Sequence, residues 1–239
     1  MVQKVAFDIP GMDDVLRGGV LPASSILITG GPGTGKSIFA FQFIFGGAKK
    51  NIPGLYITSE QTIDALKASF TDIGWDMDDY ENNGLITILE QSVTSGKMLS
   101  LEAPLALIKK KKIQRVVLDS LTLFEFVYSK GPEFRKGIIS FLKQMKEAGI
   151  TVLVTSERDI TDIDAFLYKP EDYLFDGMIV LSKIRKGSSF ERILHVVKMR
   201  GQEHAIDIFP FTIGRGGIKV MPKELPFSLI EQDFTRARK

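Results

Sequence analysis

A chain of 239 residues, 44% hydrophobic and 25% charged, is long enough for one large α/β domain and has the make-up of an ordinary soluble globule. A formal net charge of +2 neither demands nor excludes nucleic acid, and the lack of cysteine excludes disulfides and thiolate metal sites. The first ten residues carry Lys4 and Asp8 and no apolar core, so no secretory leader is expected. The most apolar run, 38–47, is interrupted by Gln42 and is too short to span a bilayer, which makes a cytoplasmic location without membrane contact the expectation.

Residues 1–24 read as an N-terminal segment, with a turn and short helix over 7–16 and a second turn at Arg17-Gly18-Gly19-Val20-Leu21-Pro22. The run Ile26-Leu27-Ile28 predicts a strand, and Ile38-Phe39-Ala40-Phe41-Gln42-Phe43-Ile44 a helix. Between them stands Gly30-Gly31-Pro32-Gly33-Thr34-Gly35-Lys36-Ser37, which fits G-x-x-x-x-G-K-[ST], the phosphate-binding loop of nucleoside triphosphatases. Its glycines let successive N–H groups point at one anion, and the helix adds the positive end of its dipole. Lys36 can then reach the β- and γ-phosphates of ATP, and the Ser37 hydroxyl can ligate Mg²⁺.

Strands and helices then alternate. Leu55-Tyr56-Ile57-Thr58 reads as a strand ending at Ser59-Glu60, and Ile63, Leu66, Phe70 and Ile73 fall at helical spacing. Residues 85–89 read as a strand, 101–108 as a short helix, and Arg115-Val116-Val117-Leu118-Asp119 as a buried strand closing on an acid. Phe134, Ile138, Phe141, Leu142 and Met145 share a helical face capped by Gly149, and 150–154 is the next strand. Alternation of this kind implies a mostly parallel sheet with helices on both faces. After Gly177 the pattern is β only, over 178–184, 192–199 and 205–213, with a hairpin turn at Lys186-Gly187-Ser188-Ser189: a C-terminal antiparallel extension. No linker or repeat interrupts it, so one domain spans 1–239, with 222–239 as a C-terminal tail that turns basic at its end. Lys109-Lys110-Lys111-Lys112 reads as a solvated helix end, and His195 and Trp75 as core residues.

Hydrolysis needs a second acid to help hold Mg²⁺ and a residue to activate water. Asp119, at a strand end, sits where the Walker B aspartate belongs. In a parallel sheet the C-terminal strand ends face the ligand, so Glu60, Asp119 and the phosphate loop should converge, with Glu60 as catalytic base. An alternative reading makes Glu60 only an acid favoured by the start of the following helix. Thr155 and Ser156 end the next strand and are candidates to sense the γ-phosphate. Lys198 and Arg200 alternate around Met199 and so project together, a pair able to stabilise a transferring phosphoryl group. Their distance in sequence from the loop suggests action on a neighbouring subunit's nucleotide.

These residues together resemble a KaiC-type ATPase of the RecA superfamily, over nearly the whole chain. The matching stretches are Ile9-Pro10-Gly11-Met12-Asp13, the phosphate loop, Thr58-Ser59-Glu60, Gly74-Trp75-Asp76 and Val117-Leu118-Asp119-Ser120. They continue with Thr155-Ser156-Glu157-Arg158, Lys198-Met199-Arg200-Gly201 with His204, and Pro210-Phe211-Thr212-Ile213. The resemblance implies a RecA-like fold and a hexameric ring with ATP between subunits. It implies Glu60 as catalytic glutamate, and Lys198, Arg200 and His204 as residues reaching the nucleotide from the adjacent protomer. There are departures. The family often has tandem glutamates where this chain has Glu60-Gln61, and its clock member has two such domains where this sequence shows one. The clock member's phosphorylated Ser-Thr pair corresponds to Asp172-Tyr173, which puts timekeeping by phosphorylation in doubt.

The leading reading is a self-assembled, Mg²⁺-dependent ATPase ring doing regulatory or mechanical work. One rival is a DNA recombinase, but the loop from Ser156 to Asp176 sets Glu157, Asp159, Asp162, Asp164, Glu171, Asp172 and Asp176 against only Arg158 and Lys169, the wrong sign for phosphate backbones. Nucleic-acid binding is expected to be weak, through 109–112 or the tail. The other rivals are a nucleotide-dependent switch read by a protein partner, and a kinase without an identifiable acceptor.

Overall fold

The computed structural model describes residues 2–91, 102–121, 124, 128, 131–158 and 167–227. The basic end of the tail and Asp159, Asp162 and Asp164 of the acidic loop lie outside these residues. The strands are β1 (Ser25–Gly30), β2 (Gly54–Thr58), β3 (Ile86–Glu90), β4 (Arg115–Asp119), β5 (Thr151–Glu157), β6 (Gly177–Lys186), β7 (Ser189–Met199), β8 (Ile208–Gly214) and β9 (Gly217–Val220). They form one nine-stranded sheet in the order β3-β2-β4-β5-β1-β6-β7-β8-β9. From β3 through β6 the neighbours are parallel, and from β6 through β9 antiparallel. The helices are α1 (Met12–Val15), α2 (Lys36–Ala48), α3 (Ile63–Asp72), α4 (Asp78–Asn82), α5 (Glu102–Lys111) and α6 (Pro132–Glu147), with a 3₁₀ turn at Pro170–Leu174. The strand–helix alternation of the sequence is thus the mixed sheet expected. Residues 205–207 are not strand, and the short β9, which has no periodicity long enough to read, is an addition.

Period-two alternation splits the apolar residues between two cores. Ile26, Ile28, Tyr56, Val117, Leu153, Ile179 and Leu181 face α2, α3 and the N-terminal segment. Leu27, Leu55, Ile57, Val116, Leu118, Val152, Val154, Met178 and Val180 face α6 and Ile108 of α5. Trp75 is 2% exposed and closes an aromatic group with Phe41 and Phe70. Lys109, Lys110 and Lys112 are exposed, as a solvated helix end implies, while Lys111 donates to Thr87 Oγ1 of β3 at 3.0 Å. His195 is half-buried in β7 rather than in the core, and burial lowers its pKa.

The N-terminal segment is part of the fold. Buried Arg115 donates to Asp8 Oδ2 at 2.7 Å, to the Ala6 carbonyl at 3.0 Å and to the Phe43 carbonyl at 2.7 Å, tying the segment to β4 and α2. Gln42, the polar residue that breaks the apolar run of α2, has an equally specific use. Its amide donates to the Ile218 carbonyl at 2.9 Å and accepts from the Ile218 N–H at 2.7 Å, clamping β9 onto α2. Gly217, at φ +100°, lets the backbone come that close: a Cβ there would sit 2.5 Å from Gln42 Oε1.

Gln42→Leu keeps the apolar face of α2 but strands two backbone groups. Each buried group left unpaired costs about 1–3 kcal/mol, so a loss of roughly 2–6 kcal/mol is expected in denaturant unfolding. A loss below about 0.5 kcal/mol would mean that water or a shift of the hairpin replaces the clamp.

Candidate functional site

β1 runs straight into the glycine-rich loop, and Gly35, at φ +102°, takes the left-handed conformation at the N-cap of α2. A Cβ at Gly35 would lie 2.6 Å from Ile213 Cδ1, so β8 packs against the loop. Thr34 Oγ1 donates to the Gly31 carbonyl at 2.9 Å, which braces the turn from inside. Lys36 folds back over it, with Nζ 3.0 Å from the Gly31 carbonyl and 3.9 Å from Glu157 Oε1. The lysine is 9% exposed. Burial lowers its pKa, opposed by the charges of Glu157, Asp119 and Glu60 and reinforced by Lys183.

The neighbouring strand ends supply the acids. Thr58 of β2 pairs with Asp119 of β4, and Gly30 of β1 with Glu157 of β5. Asp119 is held from two sides: the Tyr56 hydroxyl donates to Oδ2 and the Thr155 hydroxyl to Oδ1. Burial, and then Asp119, push the Tyr56 pKa well above its usual value, so the phenol stays protonated and donates. Glu60 is exposed just past β2 and accepts from the Ser120 hydroxyl. Thr62 caps α3 through the Ala65 N–H, so that helix start does not depend on Glu60. Ser156 lies on β5 beside these groups, with its carbonyl bonded to Thr29.

The phosphate loop, Glu60, Asp119, Thr155 and Ser156 therefore gather at one edge of the sheet. Lys198, Arg200 and His204 do not join them. Met199 pairs with Gly177, and Gly177 pairs with Ile26 at the start of β1. Strand rise of about 3.3 Å per residue puts that point some 13 Å from Gly30, at the opposite edge. There Lys198 Nζ donates to the Asp172 and Phe175 carbonyls at 2.8 Å each, and Arg200 Nη2 to the Tyr173 carbonyl at 2.6 Å. The pair projects together, as alternation predicts, onto the 3₁₀ turn. His204 Nδ1 lies 2.9 Å from the Ala205 carbonyl oxygen.

Three residues of the site escaped the sequence reading: Tyr56, Glu157 and Lys183. Tyr56 is the one residue of its strand with a polar tip at the end of a large ring, a signal that could have found it. Glu157 directly follows Thr155-Ser156, and β5 runs further than its apolar run. Lys183 extends β6 past the level of Gly30, and its Nζ would sit 3.2 Å from a Cβ at Gly33. Only the strand order places it there.

A family model described as "ATPase: KaiC" matches residues 5–225. The chain belongs to the KaiC ATPase family. It is 32% identical over 242 residues to a UPF0273 protein of Thermotoga maritima, covering 94% of this chain and 98% of that protein. It is 33% identical over 238 residues to the circadian clock oscillator protein KaiC of Parasynechococcus marenigrum, covering 92% of this chain but 45% of the relative. The chain thus spans less than half the length of such clock proteins. The crystal structure of a KaiC-like protein from the archaeon Pyrococcus horikoshii superposes with a TM-score of 0.81 at 31% identity, covering 93% of this chain and all of that one. Family and fold are therefore KaiC-like and RecA-like, as the motifs imply, and family membership carries nucleotide binding with it. Among the described residues no helix is long and apolar enough to cross a membrane.

Lys36→Ala removes the buried charge expected to face the phosphates. A hydrogen bond to a charged group is worth about 1.5–3 kcal/mol, so nucleotide affinity should fall about 10- to 100-fold in calorimetry. The nucleotide-free variant should melt no lower than wild type, because it loses a buried cation. Undiminished affinity would contradict the phosphate-loop assignment.

Proposed function

We propose that this KaiC-family domain is a Mg²⁺-dependent ATPase that assembles head-to-tail into a ring, hexameric by resemblance, with each nucleotide shared between two subunits. The ring would do regulatory or mechanochemical work. The observation that carries the reading is the separation of the two functional groups. The phosphate loop and acids lie at one edge of the sheet, while Lys198 and Arg200 lie at the other, so they can meet at one nucleotide only across an interface.

The backbone N–H groups at the start of α2 bind the phosphates, and Lys36 swings from the Gly31 carbonyl to the β- and γ-phosphates. Ser37, at the start of α2, and Asp119 would hold the Mg²⁺, with the Asp119 carboxylate oriented by the Tyr56 and Thr155 hydroxyls, one on each oxygen. The ion bound there would neutralise charge on the bridging phosphate oxygens. Thr155 thus serves the γ-phosphate end of the site through Asp119, and Ser156 lies next to it. Glu60, anchored by the Ser120 hydroxyl, takes the proton of the attacking water. Gln61 cannot replace it. Lys198, Arg200 and His204 approach from the adjacent protomer, the two cations stabilising charge on the transferring phosphoryl group.

Glu60→Gln should leave ATP bound and stop its cleavage, read by measuring bound nucleotide and phosphate release together. Release at the wild-type rate would place the base elsewhere.

Arg200→Ala should also be nearly silent, since an arginine supplied in trans is worth about 10³–10⁵ in rate. Mixing the two inactive variants tests the sharing. An Arg200→Ala protomer that supplies Glu60, facing a Glu60→Gln protomer that supplies Arg200, makes an intact site. Random reassembly gives such pairs at about a quarter of interfaces in a closed ring. Activity should return to an appreciable fraction of wild type. If subunits exchange and activity stays silent, the shared site is wrong although the phosphate loop stands.

A further inference from the structure

We propose that the buried Arg158–Asp172 ion pair is a positioning device, through which the state of a protomer's own phosphate loop sets the Lys198 and Arg200 side chains it offers to its neighbour. The proposal rests on the shared-site reading above.

Both partners are buried, Arg158 at 8% and Asp172 at 2% exposure. The pair is bidentate: Nη1 donates to Asp172 Oδ2 at 2.8 Å and Nη2 to Oδ1 at 2.7 Å. A planar fork of this kind fixes orientation as well as distance. At one end, the main chain of Arg158 rests on the phosphate loop. Its N–H donates to the Gly30 carbonyl at 3.1 Å, and its own carbonyl would lie 3.7 Å from a Cβ at Gly31. The residue before it, Glu157, faces the Lys36 ammonium at 3.9 Å. At the other end, Asp172 belongs to the 3₁₀ turn that carries the trans cations. Its carbonyl accepts Lys198 Nζ, and the next carbonyl, of Tyr173, accepts Arg200.

Asp172 therefore receives Arg158 on its side chain and Lys198 on its main chain. The Arg158–Asp172 pair thus joins the loop at one sheet edge to the cations at the other. Nucleotide arriving at the loop draws Lys36 away from Gly31 and Glu157, the two groups that flank the seat of Arg158. The displacement passes along the guanidinium to the turn, and so to the side chains offered next door. Cleavage in one site would then bias the readiness of the adjacent one, in one direction around the ring. The same geometry gives the Asp172 carboxylate a structural task, since its two oxygens accept from Arg158 and from the Lys169 N–H.

The test uses two variants of the assembled protein. Asp172→Asn keeps the shape and loses the charge. Arg158→Met with Asp172→Leu replaces the pair by apolar side chains, a change that buried ion pairs commonly tolerate without unfolding. Each should bind ATP with affinity within about threefold of wild type and lose turnover by roughly three- to thirtyfold, the range of modest coupling between sites. Each is then mixed with Glu60→Gln and, separately, with Arg200→Ala. Glu60→Gln supplies intact trans cations and should restore turnover to the pair variant's own loop, whereas Arg200→Ala supplies none and should not. Wild-type turnover in both variants would overturn the proposal, as would rescue by Arg200→Ala or failure of rescue by Glu60→Gln. The mixture of Glu60→Gln with Arg200→Ala, run beside them, separates the two ideas. If that control recovers and the pair variants do not, the pair serves its own site; if the control fails, the shared site itself is wrong.

Discussion

A buried ammonium at the start of a helix is the constraint around which the rest of this structure is arranged. Lys36 sits where desolvation disfavours its charge and where the N–H groups and dipole of α2 are already positive. Nothing in the apolar core offsets that cost. The offset comes from acids delivered by other strands, Glu157, Asp119 and Glu60, and from the Gly31 carbonyl. The parallel strand order β2-β4-β5-β1 makes this possible, because adjacent parallel strands end at the same edge. The site is thus a region of stored positive potential balanced by carboxylates, and a polyphosphate completes the balance better than they do.

Much of that was legible in the sequence, because it depends on local pattern. The loop motif, the strand before it and the helix after it are contiguous. Glu60 and Asp119 could be placed because each ends an apolar run, and the rule for parallel sheets then brings them together. What the sequence withheld depends on non-local packing. Tyr56 reads as one more buried aromatic until β2 and β4 are in register, when its hydroxyl meets Asp119. Lys183 is a cation on a hairpin strand until β6 lies beside β1. Gln42 looks like a flaw in an apolar helix until β9 arrives to be clamped. His195 shows the opposite error: an apolar neighbourhood in sequence did not make a fully buried position, because alternation along β7 turns it to the face opposite Leu194 and Val196, which are in the core.

The switch from parallel to antiparallel at β6–β7 has a consequence for where charge ends up. A parallel strand would deliver its C-terminal residues to the phosphate-loop edge. An antiparallel one must return them to the far edge. Lys198 and Arg200 end β7, so no adjustment of side-chain rotamers brings them to their own chain's loop, about 13 Å of strand away. Under the proposed arrangement this reversal is what makes assembly a condition of turnover. A subunit alone would hold nucleotide and water-activating acid without the cations that stabilise the reaction.

Such an arrangement also explains why the cations are held as they are. In the single chain Lys198 and Arg200 donate to carbonyls in and just past the 3₁₀ turn, and Arg200 also faces the Asp176 carboxylate at 3.9 Å. Carbonyls orient a cation without neutralising it. Burial and then the adjacent Arg200 charge lower the Lys198 pKa, while Asp172 and Asp176 oppose the shift. The two positive groups are thereby presented side by side at some electrostatic expense, which an anion on a neighbouring surface would relieve. Each subunit would then carry cations held beside weaker partners at both edges of its sheet, at its own loop and at the end of β7. In a head-to-tail contact the loop of one subunit and the β7 cations of the next would converge on the same polyphosphate. The ligand would be part of the interface, and the strength of subunit contact would follow the charge of the nucleotide between them.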